Sequence, residues 1–167
     1  MWNDTDTPLA YFITFRTYGT WLHGERWSVN RFHNQFDTPQ LPPNKKWSEI
    51  NRSRMKGEPV RLDTRKRSIV ERAICETCGI RNWDLFAINV RTNHVHVVVA
   101  AVAASSNVLN ALKANATREM RADGCWNEDR SPWADKGSRR NVWNEEHIDS
   151  AIRYVLEGQG GDLPKLD

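Results

Sequence analysis

Two β-rich runs, Trp83 to Val90 and His94 to Ala101, are separated only by the polar residues Arg91, Thr92 and Asn93. So short a polar connection between strands makes an antiparallel hairpin. On both sides of the hairpin the apolar period changes from two to about 3.6. Upstream, Ile69, Val70, Ala73, Ile74 and Thr77 share one helical face, with Asp63 or Thr64 as the cap and Gly79 as the stop. Downstream, Val108, Leu109, Leu112, Ala116 and Met120 do the same, with Ser105 or Ser106 as the cap and an end near Gly124.

Two further strands are expected at Tyr11–Thr17 and Arg139–Trp143. Asn144 caps a last helix, with Glu145 and Glu146 in the first turn and a stripe of Ile148, Ala151, Ile152, Val155 and Leu156. The order β-α-β-β-α-β plus a terminal helix predicts an α+β, ferredoxin-like antiparallel sheet with helices on one face. The 167 residues suit a single domain, 1–167, and no internal repeat is present. A long basic loop insertion is expected at about 24–61, rich in Asn, Pro, Gly and Ser and without apolar periodicity.

The longest apolar run, Val95 to Ala104, is interrupted by His96 and falls short of the roughly 20 residues a membrane helix needs. The N-terminal residues lack a basic segment followed by an apolar one, so a cytoplasmic protein is expected. From Lys45 to Arg72 there are ten Lys and Arg against four acids, with Trp47 among them. That stretch suits a phosphate backbone, and equally a solvated loop. Cys75 and Cys78 form one C-x-x-C, but no second pair completes a zinc ribbon.

Strand side chains alternate, so His94 and His96 share one face while Val95, Val97 and Val99 take the other. If the valines meet the helices, both imidazoles stand on the opposite face. There they are either hydrogen-bonded core residues or a pair able to close on one divalent cation. Zinc hydrolases with H-x-H on a TIM barrel need about 250 residues, and the helical H-E-x-x-H is absent. On the last helix Tyr154 sits beside the apolar stripe, with Ser150 and Glu157 one turn away on its flank. A phenol there is an edge packing residue, or a nucleophile that needs activation.

Asn93-His94-Val95-His96 before an apolar run resembles the core motif of HUH-type single-tyrosine transposases, the insertion-sequence-200-like family. Lys136 to Trp143 followed by Ala151-Ile-Arg-Tyr154-Val-Leu-Glu157-Gly-Gln159 is similar to that family's tyrosine helix. Arg16 to Leu22, Ser28 to Asn34 and Leu112 to Arg118 extend the likeness over nearly the whole chain. The resemblance implies a single-stranded DNA endonuclease and strand transferase acting on stem-loop DNA, with a homodimer as the working form. Tyr154 would attack phosphorus to give a 5′-phosphotyrosyl link. His94 and His96 would hold Mg²⁺ or Mn²⁺.

The family's third ligand is commonly a Gln or Asn four residues after the tyrosine, where this chain has Gly158. Gln159 or Glu157 is then the candidate. Arg16, Lys113, Arg118, Arg139 and Arg140 are candidate phosphate contacts, and Trp21, Trp27 and Trp47 candidate stacking residues. Two other functions are compatible with the residues: a non-catalytic or domesticated hairpin or single-strand DNA-binding protein, and a replication-initiator or relaxase-type HUH nuclease.

Overall fold

The computed structural model describes residues 7–20 and 44–158. In chain order the elements are β1 (Ala10–Arg16), α1 (Lys45–Ser53), α2 (Thr64–Ile80), β2 (Asp84–Val90), β3 (His94–Ala100), α3 (Ser105–Asp123), β4 (Ser138–Val142) and α4 (Glu145–Glu157). The four strands form one antiparallel sheet in the order β2-β3-β1-β4. This is the expected ferredoxin-like arrangement, with the C-terminal helix added.

Alternation divides the sheet into two faces, and each builds its own core. Tyr11, Ile13 and Phe15 of β1 and Val95, Val97 and Val99 of β3 pack against α2 and α3 through Ile69, Val70, Ile74, Leu112, Ala116 and Met120. The other face carries a smaller cluster of Ala10, Phe12, Ala87, Val98 and Val142, covered by Ala151 and Val155 of α4. That face is therefore not left open as a helix-on-one-side plan would have it. Val98 and Phe12 are fully buried there, and burying side chains of that size contributes about 1.5–3 kcal/mol each.

Three local details differ from the sequence reading. Residues 45–53 form a helix where a loop was expected, started by Asn44, whose side chain accepts from Trp47 N at 3.0 Å. Its apolar face is only Trp47 and Ile50, too short a pattern to stand out from a loop, and it has no buried residue. Helix α2 continues past Gly79 to Ile80, and the left-handed turn is taken by Asn82 at φ 55°. The residue before α3 is Ala104, whose methyl group cannot cap, and Ser105 Oγ receives a hydrogen bond from Arg139 Nη1 at 3.3 Å.

Immediately before β4, Gly137 lies against the middle of β1. A Cβ there would meet the Thr14 carbonyl oxygen at 2.9 Å, Leu109 Cδ2 at 3.2 Å and Phe15 Cβ at 3.3 Å. Two of those three atoms belong to β1 residues in the middle of the sheet. Gly137→Ala is expected to lower unfolding stability by about 1–3 kcal/mol, read from urea midpoints.

Candidate active site

The register of the sheet sets out the second face in rows. Asn89, His96, Thr14 and Ser138 are aligned across β2, β3, β1 and β4. One row toward α4 lie Ala87, Val98, Phe12 and Arg140, and one row the other way Arg16 stands opposite His94. Directly opposed residues of an antiparallel pair point to the same side, so these side chains share one surface.

The two imidazoles lean together, with ring centroids 4.7 Å apart and planes at 72°. His94 Nδ1 is 2.7 Å from Asn93 Oδ1. A carboxamide oxygen only accepts, so Nδ1 carries the proton, and in the neutral ring Nε2 is the nitrogen with the lone pair. His96 Nδ1 lies 2.7 Å from the Thr14 hydroxyl. With Nδ1 donating to that oxygen, His96 also presents a lone pair on Nε2. Burial, with smaller contributions from His94 and Arg91, pushes the His96 pKa from 6.5 to about 3. The ring is neutral throughout the physiological range.

Tyr154 reaches this pair from α4 of the same chain. Its ring is 5.6 Å from that of His96 and 5.8 Å from that of Phe12, edge-on to both. Asn89 ties the end of the helix to the sheet, Nδ2 donating to Val155 O at 2.9 Å. Burial raises the Tyr154 pKa above its ordinary value, and Arg140 opposes that shift. The Arg140 guanidinium lies 5.7 Å from the Phe12 ring centroid. Phe12 is thus the packing floor shared by His96, Tyr154 and Arg140.

His94, His96, Tyr154, Arg16 and Arg140 are therefore brought to one face. Glu157 is exposed in the last turn of α4, and among the described residues no Asp, Glu, Cys or third His joins the histidines in a group of three. Gln159, Trp21 and Trp27 lie outside the described residues. Lys113 is engaged elsewhere: its ammonium donates to Ala134 O at 2.9 Å and to Lys136 O, and burial lowers its pKa to about 8. Arg118 is exposed and 3.5 Å from Glu119, Arg139 contacts Ser105, and Trp47 is 47% exposed on α1. Thr14, Phe12, Asn89 and Asn93 are the site residues the sequence reading missed. Only strand register reveals the first three, whereas Asn93 stands in the core motif without an assigned role.

The model of the family described as "Transposase IS200 like" matches residues 53–157, a span that holds both histidines and the tyrosine. The chain belongs to the IS200-like transposase family. Among solved structures, a REP-associated tyrosine transposase bound to a REP hairpin is similar at a TM-score of 0.52 and 11% identity, over 95% of this chain and 71% of that one. A Deinococcus radiodurans R1 protein assigned as a transposase matches at a TM-score of 0.47 and 13% identity, covering 97% of this chain and 98% of that one. The first of these likenesses supports the fold. No curated protein matches the sequence. Among the described residues of this IS200-like transposase, no helix is long and apolar enough to cross a membrane.

Proposed function

We propose that this chain is a metal-dependent single-stranded DNA endonuclease and strand transferase acting on stem-loop DNA, with Tyr154 as the nucleophile. The observation that carries the reading is the contact of the Tyr154 ring with His96, 5.6 Å between centroids, beside His94 and within one chain. Tyr154 Oη would attack phosphorus, its proton passing to solvent. The P–O3′ bond then breaks, the departing oxygen takes up a proton as a free 3′-OH, and the 5′ phosphate stays on the tyrosine. A 3′-OH reverses the step, so rejoining conserves the bond energy.

The donor set fits a divalent cation. His94 and His96 would hold it through Nε2, and nitrogen donors favour Mn²⁺ over Mg²⁺. When bound there, such an ion supplies charge neutralisation at a phosphodiester oxygen. Two protein ligands leave room for a third from Gln159 or Glu157 and for DNA or water oxygens. Thr14 and Asn93 fix the ring orientations, and Arg140 stands near the phenol as a positive charge. Because the tyrosine is already beside the histidines of its own chain, the homodimer implied by the family is not needed to bring them together.

The test is a denaturing gel of the protein with labelled stem-loop oligonucleotides and Mn²⁺ or Mg²⁺. A covalent adduct is expected with metal and none with chelator. Metal-dependent DNA binding without an adduct would instead make the chain a binding protein. Thr14→Val is expected to weaken Mn²⁺ affinity about 10- to 100-fold, measured by calorimetry, because it removes the partner of a liganding imidazole at little change in volume.

A further inference from the structure

Arg16 is the last residue of β1 and stands opposite His94 in the β1–β3 register. Its side chain is partly buried, and burial lowers its pKa from the usual guanidinium value. Its Nε is a buried polar atom with no hydrogen-bond partner among the described residues. Ion pairs between described residues engage Arg65, Lys66, Arg72, Arg118 and Arg130 but not Arg16. Lys113, the neighbouring charge, is another cation and so repels Arg16 rather than partnering it.

A guanidinium in this state is costly, because a buried donor without a partner loses its hydration and gains nothing in return. The Nη atoms are not among the buried, unpartnered ones, and an anion seated against them offsets part of the cost. The planar fork of arginine matches two oxygens of a phosphate group, which a lysine cannot imitate. The position narrows the anion further. Tyr154 touches the His96 end of the histidine pair, and Arg16 stands at the His94 end, one row beyond. In the register Phe12, Thr14 and Arg16 succeed one another along β1, so Arg16 lies on the side of the histidine pair away from the Phe12 row that Tyr154 touches.

Building on the strand-transferase reading above, we infer that Arg16 binds a phosphodiester of the substrate strand at the His94 end of the site, the cleaved phosphate or its immediate neighbour. It is a substrate-binding residue that aligns the strand between Tyr154 and the histidines. The carrying juxtaposition is a partly buried, unpartnered arginine in register with a histidine of the site.

Two measurements in the Tyr154→Phe background test this. The first uses a single-stranded oligo-dT and needs no cleavage. Arg16→Gln should weaken binding about 10- to 100-fold at low salt. It should also flatten the plot of log affinity against log salt by about 0.7, the change for one phosphate contact on a single strand. Arg16→Lys should recover part of the affinity. The second uses a stem-loop strand whose cleavage position has been mapped, carrying one neutral methylphosphonate at the cleaved phosphate or at either neighbour. At one of these positions the wild-type residue should lose affinity while Arg16→Gln loses nothing further.

Thermal unfolding separates a binding role from a structural one. Removing an uncompensated cation should leave the melting temperature of Arg16→Gln equal or higher, whereas a structural arginine would lower it. An unchanged salt slope, or additive penalties at all three phosphates, would overturn the assignment. If the wild type forms no adduct but the oligo-dT slope still changes in Arg16→Gln, the strand-transferase reading fails and the phosphate site stands.

Discussion

Tyr154→Phe is expected to abolish covalent attachment to DNA while leaving the fold and metal-independent DNA binding in place. The substitution deletes one oxygen and keeps the ring. Packing depends on the ring, which lies edge-on to Phe12 and His96 at the margin of the smaller core. The chemistry depends on the oxygen. Phenylalanine fills the same space, so the melting temperature should change little, and circular dichroism should not distinguish the two proteins. The adduct band should disappear at every metal concentration. An adduct persisting in Tyr154→Phe would sink the assignment of the nucleophile and direct attention to Tyr11 and Tyr18, the other tyrosines.

The same residue predicts a pH dependence. Burial holds the phenol above its ordinary value near 10, with Arg140 acting against the shift. The reactive phenolate is then scarce at neutral pH, and its share rises about tenfold per pH unit. Adduct formation should climb from pH 7 to 9 without a plateau. A plateau near neutrality would show that proton removal is already complete there, or that another step limits the rate.

The elements and their order were legible because each carries its own period and boundary residues: the hairpin between Val90 and His94, the apolar faces of α2 and α3, and the Asn144 cap. What one strand dictates was also legible, since alternation alone puts His94 and His96 on one face. Cross-strand facts were not. That Thr14 meets His96, that Arg16 faces His94 and that Arg140 shares a row with Phe12 depend on register, which is set by the whole sheet rather than by any local run. The second core was hidden for a related reason. Ala10, Phe12, Ala87 and Val98 come from three strands and make an apolar patch only once those strands are side by side. Helix α1 escaped because its apolar face is only Trp47 and Ile50 and its start is a single capping asparagine.

His96 also predicts how the metal-free protein responds to acid. In the unfolded chain its imidazole titrates near 6.5, and in the fold near 3, chiefly because the ring is 4% exposed. Between those values the unfolded state binds a proton that the folded state refuses. The contribution of this residue is therefore fully present above pH 6.5 and declines as pH falls toward 3, by about 1.4 kcal/mol per unit. Across the window the loss is on the order of 5 kcal/mol, a large share of the 5–15 kcal/mol that holds a typical domain together. His96→Gln keeps a polar side chain of similar size without a titrating ring, and should flatten the decline. The comparison is made on urea midpoints of the two chelator-treated proteins at pH 7, 6 and 5, above the range where carboxylates dominate. Divalent cation should steepen the wild-type dependence, because metal and proton compete for the same nitrogen lone pair. Parallel curves for the two proteins from pH 7 to 5 would mean that His96 is hydrated in solution. The burial that holds its imidazole neutral down to about pH 3 would then be absent in solution.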